Sequence, residues 1–167
     1  MLQTAAFAVF PVIVTLAAVS DLMTMTISNR FSIALIIGFA VLAPWLPGMN
    51  LPLAGMHLAA AALVLTVTFS LFAFGIIGGG DAKLAAVIAL WLGWGPLFAF
   101  AVYTTMIGAA LCIALLAFRS IPIPIIAMRQ DWIMRLHDRK EGAPYGIALA
   151  ASAMLVYPDS LWSVLLG

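Results

Sequence analysis

Residues 31–80 contain no Asp, Glu, Lys or Arg. As one helix, that run would be about 75 Å long, more than twice the roughly 30 Å of a bilayer's hydrocarbon core. It therefore reads as two spans, broken at Pro44-Trp45-Leu46-Pro47-Gly48-Met49-Asn50-Leu51-Pro52, a cluster of turn formers. A second charge-free run, Leu84 to Phe118, carries its own break at Gly93-Trp94-Gly95-Pro96. Composition agrees: 66% of the 167 residues are hydrophobic and 8% are charged. A soluble domain would carry about a quarter charged residues. A net charge of +1 excludes a nucleic-acid binder as well as a charged disordered chain. Apolar runs this continuous do not suit a β-barrel, whose strands alternate.

The chain is thus expected to be an all-α integral membrane protein of six transmembrane helices. The spans fall near 2–20, 31–46, 53–75, 81–93, 97–118 and 145–166, with one loop at 119–144. No basic residue precedes the first apolar run, so it reads as a retained span and not a cleavable signal. With six spans, all seven Lys and Arg lie on one side, the cytoplasmic one, and both termini lie outside. Joining spans four and five would put the five basic loop residues opposite Arg30 and Lys83. The chain forms one membrane-embedded domain.

Within the loop, Pro122 and Pro124 end span five. Met128, Trp132, Ile133 and Leu136 then recur at helical spacing, with Arg129, Asp131, Arg135 and Arg139 around the rest of the turn. This pattern suits an amphipathic helix on the cytoplasmic membrane surface, either a topological anchor or a docking surface. Cys112 reads as a buried small hydrophobe, His57 as packed or interfacial, His137 as solvated, and Asp159 as interfacial on the outer side. The glycines at 75, 78, 79, 80, 93, 95 and 108 suit close helix contacts as well as function.

Acids at a bilayer are costly and need a role. Asp21 ends span one, and Asp81 begins span four directly after Gly78-Gly79-Gly80. Both lie at cytoplasmic helix ends, where spans one and four can bring them side by side. Two carboxyl groups sharing one proton can activate water: one accepts its proton while the other polarises a carbonyl. The glycines would let an extended strand approach the main chain beside the acid. Equally, Asp81 can be a helix cap after a flexible turn, and Asp21 an interfacial acid.

Gly78-Gly79-Gly80-Asp81-Ala82-Lys83-Leu84 resembles the Gly-x-Gly-Asp-x-Lys-Leu motif of type IV prepilin peptidases, aspartic membrane proteases. Asp21-Leu22 followed by Ile27-Ser28-Asn29 is similar to that family's other aspartate segment, and Pro144-Tyr145-Gly146 also looks like the family. The resemblance implies that Asp21 and Asp81 are the catalytic pair. Their substrates would be pilin-like precursors, whose short basic leader precedes a hydrophobic helix and is cut at the cytoplasmic face of the bacterial inner membrane, with no metal or organic cofactor. Gly78, Gly80, Lys83 and Asn29 would support the site: Lys83 by holding a substrate carbonyl, tuning Asp81 or setting topology, Asn29 by closing the turn after Asp21. Longer members carry a further cytoplasmic segment with paired cysteines and also methylate the new N-terminus. This chain looks like the short branch of Flp (tight-adherence) pili, so peptidase activity without N-methyltransferase is expected. Met23, Met25 and Ser28 depart from the family's usual basic residues and proline. Archaeal preflagellin peptidases share the two-acid scheme but suit the compact layout less well. The competing class is a non-enzymatic small transporter or pilus-assembly membrane subunit, whose acids would relay protons or bind a partner. A transporter would be expected to hold its acids near the bilayer midplane.

Overall fold

A computed structural model describes residues 2–122 and 129–166. Among these residues the chain is all helical. The helices are α1 (Leu2–Thr24), α2 (Asn29–Leu42), α3 (Leu51–Ala73), α4 (Gly79–Leu92), α5 (Leu97–Phe118), α6 (Asp131–His137) and α7 (Gly146–Val156). Phe7–Thr24, Leu51–Ala73 and Leu97–Phe118 are each long and apolar enough to cross a membrane.

Each terminus has a local cause. Ser28 caps α2 by accepting from the Arg30 N–H, and Asn50 caps α3 by accepting from Leu53 N–H at 2.9 Å. At the end of α3, Gly75 takes φ +71°, which lets Ile76 N–H reach Leu71 O and Gly75 N–H reach Phe72 O, both at 2.9 Å. Helix α1 ends with Met25 at φ 54°.

The sixth apolar stretch, expected as one span over 145–166, is not one helix. Helix α7 stops at Val156, and 3-10 turns follow at Tyr157–Asp159 and Leu161–Leu166. Pro158 has no N–H to continue the ladder, and the Ser160 hydroxyl donates to Tyr157 O at 2.6 Å. The loop helix α6 is also shorter than its pattern suggested, and Met128 and Pro124 lie outside the described residues. Its Trp132, Ile133 and Leu136 are half-buried while Asp131 and Arg135 are exposed. It packs on the ends of α1 and α5. His137 is not solvated: its ring stands edge-on to Phe118, centroids 5.2 Å apart.

Helix α4 is the axis of the fold. Its residues from Leu84 to Leu92 are all buried, and it packs on α3, α2 and α7. Fourteen residues give only about 21 Å, but a helix enclosed by protein need not match the bilayer's thickness. Its Trp91 is fully buried. The ring lies 4.3 Å from Trp162 and 5.3 Å from Phe10. Trp91 Nε1–H donates to Leu35 O at 3.0 Å, and Trp162 Nε1–H donates to Trp91 O at 2.9 Å. These two bonds satisfy the indoles and release the carbonyls from solvent, so the aromatic cluster is fully paired.

His57 is buried in α3, as a packed histidine. Its Nδ1–H donates to Leu90 O at 2.8 Å, satisfying a carbonyl of the last turn of α4. The next residue past the helix, Gly93, has φ +69°, and a Cβ there would stand 2.8 Å from His57 Cε1. Gly93→Ala therefore meets both strain and a clash. It is expected to destabilise the protein by at least about 1 kcal/mol, read as lower thermal resistance in detergent than Gly55→Ala, where a Cβ meets nothing within 4 Å.

Candidate active site

Asp21 sits in the last turn of α1 and is 5% exposed. Its Oδ2 accepts the backbone N–H of Gly146 at 2.8 Å, at the first residue of α7. Asp81 sits in the first turn of α4, half-buried, and its Oδ1 is buried without a hydrogen-bond partner. The segments that carry the two acids meet at one residue, Ile27. Helix α1 meets α4 at the far end, through Phe10 and Trp91. Helix α7 packs on both, and the turn after α1 inserts Ile27 between the two acid segments. A Cβ on Gly80 would lie 3.1 Å from Ile27 Cβ, and one on Gly146 would lie 3.0 Å from Ile27 Cδ1. Ile27 thus spaces Gly80, one residue before Asp81, from Gly146, which holds Asp21.

This gives the glycines separate tasks. A Cβ on Gly78 would lie 2.8 Å from Asp81 Oδ2, so the bare residue leaves room for the carboxylate. Gly79 lies under the Phe72 ring, with Cβ clearance of only 3.2 Å. Glycines 79 and 80 are half-buried, in close contact with Phe72 and Ile27. Gly78 remains exposed. Gly75 and Gly95 have open space around them and make no close helix contact.

Lys83 and Asn29 do not face the acids. Lys83 Nζ donates to Asn29 Oδ1 at 3.0 Å on the exposed side of α4 and α2. Asn29 starts α2, while the turn before it is closed by the Ser28 cap. Because the ammonium serves the same bond from either end, Lys83→Met and Asn29→Ala are each expected to lower activity less than about tenfold. The double variant should lose no more than either single one, as a steady-state comparison of the three would register.

Four contributors had no assigned role in the sequence. Gly146 supplies the N–H to Asp21. Tyr145 lies beside it, and its hydroxyl donates to Thr104 O at 3.2 Å. Its ring rests directly on Gly108, where a Cβ would overlap it. Ile27 is the spacer. Thr104 is buried, and its hydroxyl has no partner. Pro144-Tyr145-Gly146 and Ile27 were visible only as pieces of a motif. Thr104 carried no signal, since a threonine pair such as Thr104-Thr105 in an apolar helix is ordinary.

The loop also reaches this end of the molecule. Arg135 Nη2–H donates to Met23 O at 2.8 Å, satisfying a carbonyl two residues past Asp21. Arg119 ties the loop down through Leu136 O at 2.8 Å and Gly142 O at 2.7 Å.

From Asp81 a cavity of about 530 Å³ extends between α3 and α5. Apart from Asp81, Thr68, Thr104, Thr105 and Tyr145, its walls are largely apolar. An acid at the end of an apolar cavity, with a second acid held behind it, can act on a bond carried by a hydrophobic segment. A protein-family model described as the type IV leader peptidase family matches residues 8–113, more than half of the chain and a stretch containing both acids. The chain belongs to the type IV leader peptidase family. No curated protein and no solved structure matched the chain. Membership makes this a membrane peptidase of the kind that acts on pilin precursors, and the apolar helices accord with that setting. The Tyr145–Gly146 contribution lies beyond the matched residues of this leader peptidase, and its place beside Asp21 comes from the geometry.

Proposed function

We propose that this leader peptidase is an aspartic endopeptidase that removes the basic leader of Flp-type prepilins at the cytoplasmic face of the bacterial inner membrane. Asp21 and Asp81 act as one unit holding a single proton between them. The ionised carboxylate takes a proton from water, and the water oxygen bonds to the scissile carbonyl carbon. The protonated carboxyl polarises that carbonyl. A proton then passes to the amide nitrogen, the C–N bond breaks, and the products are a leader carboxylate and a pilin with a free amine. One water is consumed and the pair returns to its starting charge.

The observation that carries this reading is that two acid segments sixty residues apart in sequence pack on the same residue, Ile27, with Asp81 at one end of an apolar cavity. One acid is oriented by a backbone N–H, and the other keeps an unpartnered oxygen. A carboxylate held by a main-chain donor stays aligned without a rotamer search, the preorganisation that water activation requires. A six-crossing arrangement with both termini outside fits this placement, since it puts the acids on the side of the Lys and Arg residues. The N-methyltransferase of longer relatives is not expected of this chain, which has one cysteine and no paired-cysteine segment.

The test is co-expression with a short Flp-type prepilin in cells lacking their own leader peptidase. The expected product has lost the leader, by mass, and carries an unmethylated new N-terminus. An inserted protein that leaves both a Flp-type and a second class of prepilin intact would overturn the reading.

A further inference from the structure

The cavity has a division that the chemistry of hydrolysis does not explain. Its polar end is Asp81 with Thr104 and Tyr145, and its body is apolar. Helix α3 contributes Val64, Val67 and Leu71, and α5 contributes Leu97 and Ala101, in each case residues spaced along one helix face. Among the described residues α3 packs chiefly on α4 and α5 chiefly on α7, which leaves the groove between α3 and α5. The floor is α4 through Ala85 and α7 through Leu149.

Two buried polar atoms stand at this groove without a hydrogen bond, Asp81 Oδ1 and Thr104 Oγ1. Thr104 is buried, at 9% exposure. Nearby threonines behave differently. Thr68 Oγ1–H donates to Val64 O at 2.7 Å, and Thr105 Oγ1–H donates to Val102 O at 2.8 Å. A buried hydroxyl left unpaired costs free energy that a bound partner recovers.

Resting on the peptidase reading above, we infer that the groove between α3 and α5 seats the hydrophobic helix that follows the leader in the precursor, with the Thr104 hydroxyl holding the peptide beside Asp81. A lipid tail fits the apolar body but offers nothing to either orphaned atom. A peptide that carries its scissile bond just ahead of an apolar helix satisfies both halves. Its apolar face fills the groove while its main chain offers a carbonyl to Thr104 and the reacting bond to Asp81. The volume of about 530 Å³ holds several side chains and not a whole helix, so recognition is of one helix face. Thr104 is a positioning residue in this scheme.

A photo-reactive benzoylphenylalanine is placed in turn at Val67, Ala101, Ile36 and Ile113 of an Asp21→Asn protein, which binds precursor without cutting it. Ile36 and Ile113 are exposed on other helix faces, at 47% and 68%. Precursor adducts through its hydrophobic helix are expected at Val67 and Ala101, several-fold above the two controls. In the active protein, Ala101→Trp is expected to lower processing at least tenfold while Ile113→Trp leaves it unchanged. Thr104→Val is expected to cut kcat/KM about tenfold and Thr104→Ser to restore it. Equal adduct yields at all four positions, or only lipid adducts at Val67 and Ala101 while the unsubstituted protein still cleaves precursor, would overturn the groove assignment alone. An inserted unsubstituted protein that cleaves nothing would remove the peptidase reading itself, and the groove assignment with it.

Discussion

Asn at either Asp21 or Asp81 is expected to reduce prepilin cleavage by at least about 1,000-fold, and Asn at both to reduce it no further. Groups that act as one unit fail together, so the losses do not add. Asp21 is fixed by Gly146 N–H at 2.8 Å, Asp81 has a free buried oxygen, and the segments of both acids pack on Ile27. Water activation requires one ionised and one protonated carboxyl at once. The pH profile of kcat/KM is therefore expected to be bell-shaped, falling where both acids are protonated and again where both are ionised. Asn keeps the size of Asp and removes its ability to exchange a proton. Insertion, read by membrane fractionation, should be unchanged in all three variants. Losses that multiply in the double variant would show that the acids act independently.

A single methyl group at Gly146 is expected to cost about 100-fold in kcat with little change in protein abundance. The added Cβ would stand 2.9 Å from Asp21 Oδ2, 3.1 Å from Asp21 Cβ and 3.0 Å from Ile27 Cδ1. The oxygen can swing away, but Asp21 Cβ cannot without moving α1. Both the N–H bond and the spacing by Ile27 are then disturbed, and a misplacement of about 1 Å in a reacting group costs on the order of 100-fold. Gly55→Ala is the matched control, since a Cβ there meets nothing within 4 Å. Gly146→Ala activity equal to that of Gly55→Ala would separate Gly146 from the chemistry.

How much of this was legible in the sequence differs by element. Long apolar helices announce themselves, so α3 and α5 follow from charge-free runs and the Pro and Gly breaks between them. The all-helical class follows for the same reason. The last stretch misled because hydropathy sees Tyr145 to Leu166 as one apolar run. A single Pro158 and two serine-assisted turns decide that it is not one helix. The acids were legible as expensive charges in an apolar chain, and the motif around Asp81 set them apart. What holds them was not legible. The Asp21 donor is a main-chain N–H 125 residues away, and main-chain groups leave no mark on composition. The glycine run was visible, but its use was not. Gly79 and Gly80 are covered by Phe72 and Ile27 from other segments, a fact that only tertiary packing supplies. Lys83, one turn-fraction past Asp81 in sequence, points to Asn29 because successive helix residues face different directions.

The decisive measurement is a time course of leader removal by the purified protein in lipid vesicles, on an intact Flp-type precursor, beside the Asp21→Asn/Asp81→Asn double variant with insertion verified for both. Cleavage at the boundary between leader and hydrophobic helix by the unsubstituted protein, with none by the double variant, is the expected result. Cleavage at equal rates by both proteins would contradict a two-aspartate mechanism.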